Sequence, residues 1–201
     1  SQKGFDFGLE NNGILMLYKT PQAADEESHL AEKARQLGLD VEVLSAEQCR
    51  SLQPQLQLDV AGAVHYRCDG HLMPHVLMQQ LVAWLEAAGV VIARGSEVIK
   101  IEQQHGRISK IYTPQQVFEA DEVVIAGGAW SAAVARLAGL RLPLMPGKGY
   151  SFMFDEAAKR MHIASFLMKG RISITPVGTQ IRFRGTMELG AINNKINMNR
   201  V

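Results

Sequence analysis

Residues 123–131, VVIAGGAWS, constrain this chain more than any other stretch. A four-residue apolar run ends in two adjacent glycines, and small residues then recur at helical spacing as far as Leu137. That is the pattern of a strand turning tightly into a helix. Adjacent glycines at such a turn leave bare backbone that a phosphate or a flat ring system can approach closely. The same turn serves a plain strand-to-helix connection equally well, and spacing alone favours neither use.

The rest of the chain is long and apolar enough to support that unit. With 201 residues and 47% hydrophobic content, it can bury about 70% of the surface its unfolded form exposes, which predicts one or two ordinary domains. The net charge of +1 and mean hydropathy of −0.03 exclude the basic footprint of a nucleic-acid or anionic-bilayer binder. The longest weakly charged stretch, Val123 to Ala135, is closed by Arg136, short of the roughly 20 apolar residues a spanning helix needs. SQKGFDFG at the start lacks the pattern of a secretory leader. Two cysteines, Cys49 and Cys68, make no disulfide framework and suit a reducing cytoplasm, the expected location.

Local signals divide the chain into elements. Thr20 caps a helix opened by Pro21, with Leu30, Ala34 and Leu37 on one face and Gly38 as terminator. LDVEVL alternates like a strand, and Ser45 with Gln48 forms a capping-box pattern for a short helix ending before Pro54. Asp69-Gly70 marks a turn. Pro74 opens the strongest helical pattern, with Leu77, Leu81, Trp84, Leu85 and Ala88 on one face up to Gly89. Then come strands at GVVIARG and SEVIKIEQQ, a turn at His105-Gly106, a strand at RISKIYT and another at Glu122 to Ala126. Beyond Leu142, PLMPGKGYSFMF is extended, Glu156 to Met161 is at most a short helix, and ISITPVGTQIRFRGTMEL is an antiparallel hairpin. The Asn-rich AINNKINMNRV shows no periodicity and reads as a loop.

Other chemical signals are weak. Gly147-Lys148-Gly149 lacks the third glycine of the dinucleotide fingerprint, since Phe152 stands there, and no helix follows. Lys148 and Tyr150 on that strand can aim a cation and a phenol at a pocket, although a surface lysine and a packed tyrosine are the commoner outcome. Cys68, His71 and His75 lack a fourth zinc ligand: the histidines flank a helix start and the cysteine acts as a small hydrophobe. No metal is expected. No serine occupies a Gly-x-Ser-x-Gly elbow, and Met145, Met153, Met161 and Met168 read as core gap-fillers.

Six motifs in order carry a resemblance. GILMLYKT (13–20), GLDVEVLSAEQCRSLQP (38–54), GAVHYRCDGHLMPHVLMQQL (62–81), VVIAGGAWS (123–131), PGKGYSF (146–152) and RFRGTMELGA (182–191) resemble the D-amino-acid oxidase-like (DAO) family of FAD-dependent oxidoreductases, most of all its D-amino-acid dehydrogenase branch. The resemblance runs over nearly the whole chain. It implies an α+β (mixed α/β) fold: a substrate domain with a mixed, largely antiparallel sheet and flanking helices, plus an incomplete part of a Rossmann-like FAD domain. Residues 1–68 and 141–201 would belong to the substrate domain and 69–140 to the FAD domain, with Gly89 to Ile125 in that domain's sheet. The family's N-terminal glycine fingerprint and its C-terminal Gly/Arg/Pro-rich segment find no counterpart, so the chain is expected to be a central fragment, inactive alone.

The resemblance also implies site residues. Val98 falls where the family's FAD domain meets the adenine, and Ala126, Gly127, Gly128, Ala129 and Trp130 fall on the turn lining the adenosine and pyrophosphate. Lys148, Tyr150, Gly185 and Thr186 fall beside the flavin's substrate face. The implied reaction is hydride transfer from an amino acid's α-carbon to flavin N5, followed by imine hydrolysis, with the protein supplying orientation and exclusion of water. No catalytic residue is assigned. The substrate is then a small D-amino acid or amine, the alternatives being a 2-hydroxy acid, glycerol 3-phosphate, or a stand-alone binding domain without redox activity. The complete enzyme is compatible with a peripheral seat on the inner membrane. Uncovered apolar surface in the fragment predicts a homodimer.

Overall fold

The computed structural model describes residues 4–155, 161–190 and 192–198. Most of Glu156 to Met161, expected as at most a short helix, lies outside them. Two compact units emerge. The first holds residues 1–88, 149–186 and 197–201, the second 89–148 and 187–196. These boundaries differ from divisions at 68/69 and 140/141, chiefly because the helix opened by Pro74 joins the first unit.

In the first unit, β1 (Ile14–Tyr18), β2 (Val41–Ser45) and β3 (Gly62–Tyr66) form an antiparallel set with β3 between β2 and β1. β1 runs parallel to β8 (Ala164–Leu167), which continues antiparallel into β9 (Ile172–Val177) and β10 (Gln180–Leu189). With β7 (Gly147–Phe154) at the edge, the sheet order is β2-β3-β1-β8-β9-β10-β7. The mixed, mostly antiparallel sheet expected from the resemblance is present. Strands β7 and β10 each pass from one unit into the other.

Alternation along the strands sends two sets of side chains to opposite faces. Leu15, Leu17, Leu44 and Ala63 pack with Cys49 of α2 (Ala46–Leu52), and Tyr18, Val41 and Val64 pack with Ala31 and Ala34 of α1 (Pro21–Gln36). Both helices start as their caps dictate. The Thr20 hydroxyl accepts the Ala23 N–H, and Ser45 and Gln48 close a reciprocal capping box. The buried face of α1 is corrected: Glu27, Ala31 and Ala34 turn inward, while Leu30 and Leu37 are exposed. Small residues allow the helix to lie close to the sheet, and a face with Leu30 inward would not.

The fully buried Gln53, at the end of α2, ties distant chain together. Its amide donates to the Ile163 carbonyl at 2.8 Å and accepts the His162 N–H at 2.9 Å. It thereby satisfies backbone groups at the start of β8 that have lost ladder partners.

Helix α3 (Pro74–Ala87) follows its predicted pattern but buries none of its residues. Its contacts lie with the N-terminal stretch, where Phe5 meets Trp84 edge to face and Gln80 exchanges hydrogen bonds with the Asp6 backbone. The turn before it falls at Arg67-Cys68 rather than Asp69-Gly70, and Cys68 is exposed rather than packed. Only Met161 of the four methionines sits in a core; Met145 and Met153 are exposed because no element covers their segments among the described residues.

The second unit contains a three-stranded meander, β4 (Lys100–Gln104), β5 (Arg107–Tyr112) and β6 (Val117–Phe118), and helix α4 (Ser131–Leu137). His105 and Gly106 both take positive φ at the β4–β5 turn, the conformation a tight two-residue hairpin requires. Gln103 donates to the Ala138 carbonyl at 2.5 Å, fastening the end of α4 to β4. Two expected strands are corrected. Neither GVVIARG nor Glu122 to Ala126 forms one, and Val91 and Val124 stand 87% and 85% exposed. A strand exists only by pairing, and among the described residues no neighbour lies alongside either run.

Candidate functional site

The chemistry-bearing residues are found in both units. In the second unit, a single 3₁₀ turn (Gly128–Trp130) joins the VVIA run to α4. Gly128 holds φ +53°, and nothing lies within 4 Å of where its Cβ would be. The backbone conformation, not crowding, therefore calls for glycine here. The Trp130 N–H donates to the Gly127 carbonyl at 3.0 Å and closes the turn, leaving the indole 61% exposed.

Beside this turn lies an open hollow of about 650 Å³, walled by Val98, Ile99, Trp130, Val134 and Leu137 with Glu97 at its margin. Val98 and Trp130, two residues expected at a cofactor, thus line one space, whereas Ala126, Gly127, Gly128 and Ala129, which precede Trp130 in the chain, are not among its lining residues. Aliphatic walls, one exposed indole and a bare glycine turn suit a flat aromatic ring carrying a polar extension. Val134 and Leu137 escape sequence reasoning, although their spacing on α4 is a signal that could have found them.

Of the remaining expected site residues, Lys148 on β7 belongs to the second unit, and Tyr150 on β7 with Gly185 and Thr186 on β10 belong to the first. Lys148 makes an ion pair with Glu188 at 2.6 Å, and the Tyr150 hydroxyl accepts the Asn197 N–H at 3.1 Å. Gly185 and Thr186 follow one another on β10, with Ile172 4.0 Å from the Cβ position of Gly185. The involvement of Glu188, Asn193 and Asn197 has no precedent in the motif reading.

Burial raises the Glu27 carboxyl, helped by neighbouring Glu26, and burial likewise raises Tyr18, Tyr66 and the Cys49 thiol. On the meander, the Lys100 ammonium and the Tyr112 hydroxyl hold the Glu102 carboxyl below the usual range. Among the described residues no group of three or more metal-ligating side chains occurs, and no helix is long and apolar enough to cross a membrane.

A large mixed sheet whose strands β3 and β7 are separated in the chain by a meander and a bare-glycine turn into a helix is shared with solved structures. Glycine oxidase from Geobacillus kaustophilus matches with a TM-score of 0.88 and 26% identity, covering 98% of this chain and 53% of that one. L-proline dehydrogenase from P. horikoshii matches in fold with a TM-score of 0.87 at 16% identity, covering 99% and 55%. In sequence, the chain matches the family DAO, FAD dependent oxidoreductase, over residues 1–201, and it belongs to that family. Among curated relatives, a D-amino acid dehydrogenase of Cereibacter sphaeroides is 30% identical over 195 residues, 94% of this chain and 45% of that protein. One from Bradyrhizobium diazoefficiens is 27% identical, covering 96% and 47%. The chain spans about half the length of the curated relatives it matches.

Against that family's cofactor, the hollow passes a chemical test. Its lining, apolar except for Glu97, fits the flat ring at the adenosine end of FAD.

Proposed function

We propose that this chain is the central part of an FAD-dependent dehydrogenase that oxidatively deaminates a D-amino acid or a related amine. The observation that carries this reading is the hollow gathering Val98 and Trp130 beside the Gly127–Gly128 turn. Curated relatives named D-amino acid dehydrogenase, matching 94% to 100% of the chain, support the substrate class.

In this reading Val98 and Trp130 hold the adenine, and Ala126 to Ala129 present backbone toward the adenosine and pyrophosphate. FAD, when bound, supplies the acceptor for the hydride and its electron pair. Tyr150, Gly185 and Thr186 border the substrate side, where the protein orients the amine and keeps water out. Free Cys49 and Cys68 suit a reducing cytoplasm.

The isolated chain does not retain FAD and is inactive, because the unpaired runs at 90–92 and 123–126, where Val90, Val91 and Val124 are exposed, take strand partners from elsewhere in the complete protein. Left uncovered, this apolar surface drives the isolated chain to self-associate, and sedimentation at rising concentration reads that directly. For the complete protein, the expected result is a flavin absorbance and oxidation of D-alanine with an artificial electron acceptor. Turnover of 2-hydroxyglutarate or glycerol 3-phosphate with none of D-amino acids would overturn the substrate class. A bound-flavin spectrum from residues 1–201 alone would overturn the fragment reading.

A further inference from the structure

Lys148 lies where the resemblance puts the substrate face, yet its ammonium is already engaged. An ammonium has three N–H donors. Three acceptors of the same unit meet this one: Glu188 Oε1 at 2.6 Å, the Lys195 carbonyl at 2.7 Å and Asn193 Oδ1 at 3.1 Å. The paired side chains are 29% and 27% exposed, so the bond is partly withdrawn from water.

The surrounding backbone explains why this contact matters. Residues 192–197 form neither helix nor strand, so side chains supply what a ladder would. Asn193 Oδ1 also accepts the Lys195 N–H at 3.0 Å, which closes a local turn around the lysine. Gly147 permits the approach of β10: the sulfur of Met187 would stand only 3.1 Å from a Cβ there. A side chain at 147 would displace the flexible, exposed end of Met187 by a few tenths of an ångström.

We propose that Lys148 is a positioning residue and not a ligand for the substrate carboxylate: its ammonium, saturated by Glu188, Asn193 and the Lys195 carbonyl, fastens residues 193–195 to the ends of β7 and β10. A cation whose donors are all used has none to offer a carboxylate without first breaking the clamp. The clamp depends on the charge pair as a unit, so removal of either partner releases the same backbone.

The inference rests on the proposed function only for its kinetic arm. The experiment uses the complete protein and peptide-resolved hydrogen–deuterium exchange over residues 187–198, in wild type, Lys148→Met, Glu188→Gln, Lys148→Arg and the charge-swapped pair Lys148→Glu with Glu188→Lys. Lys148→Met and Glu188→Gln are each expected to speed exchange at 193–195 by about tenfold to a hundredfold. Lys148→Arg should keep protection, whereas the swapped pair should not recover it, because a carboxylate at 148 has no donor for Asn193 Oδ1 or the Lys195 carbonyl. In the kinetic arm, Glu188→Gln should change KM and kcat for D-alanine in the same sense and proportion as Lys148→Met. Unchanged exchange in Glu188→Gln overturns the proposal, as does a rise in KM confined to Lys148→Met. If Lys148→Met does not fold, Glu188→Gln and Lys148→Arg decide the matter. Exchange requires no turnover, so inactivity toward D-amino acids would defeat the proposed function and leave this inference standing.

Discussion

The two units handle similar apolar runs in opposite ways. ILMLY in β1 has β3 on one side and β8 on the other, and Leu15 within it is completely buried. VVIA at 123–126 has comparable β-forming composition, yet it forms no strand and Val124 is exposed. Apolar patterning creates a demand for burial, but hydrogen-bonding neighbours decide whether the demand is met.

The largest expected effect sharpens that contrast. Leu15→Ala empties a closed core and should destabilise the chain by about 3–5 kcal/mol in urea unfolding, whereas Val124→Ala should stay within about 0.5 kcal/mol. Comparable losses at the two sites would break the comparison. Next comes the Gln53 clamp: Gln53→Leu leaves the His162 N–H and Ile163 carbonyl without their partner, and a loss of about 2 kcal/mol is expected in the same assay.

Smaller effects probe the helices of the well-packed unit. Thr20→Ala removes the acceptor for the Ala23 N–H and should lower stability by about 1 kcal/mol, with the change confined to α1 in residue-resolved exchange. Glu27→Gln should act in the other direction, by up to about 1 kcal/mol near neutral pH. Burial raises the Glu27 carboxyl above its unfolded value, so the folded state binds its proton more tightly than the unfolded state does. Wild-type stability therefore gains as pH falls through the raised value toward the unfolded one, and the advantage of Glu27→Gln shrinks over that window. An advantage that does not vary with pH would show that ionisation is not its cause.

Much of the local structure was legible in the residues themselves. The Thr20 and Ser45 caps, the His105-Gly106 turn and the hairpin around Gly178 all formed, because each depends on atoms a few residues apart. The inward face of α1 was legible only in part: Ala34 is buried as expected, but the close approach of helix and sheet selects Ala31 beside it and leaves Leu30 and Leu37 exposed. Of the candidate site, Val98 and Trp130 could be named in advance through family likeness, whereas Val134 and Leu137 emerged only when α4 was placed beside Val98 and Ile99.

Sequence alone determined where α1 and α2 begin, where the chain reverses at His105-Gly106 and near Gly178, and that a glycine turn leading into a helix stands among motifs of one flavoprotein family. Tertiary structure decided the parallel pairing of β1 with β8, the reach of Gln53 to residues 162 and 163, and the partners that occupy Lys148. The division has a physical cause. Capping and turn energies are local and written in neighbouring residues, whereas strand pairing and the saturation of a buried donor depend on which distant segments the folded chain brings within about 3 Å.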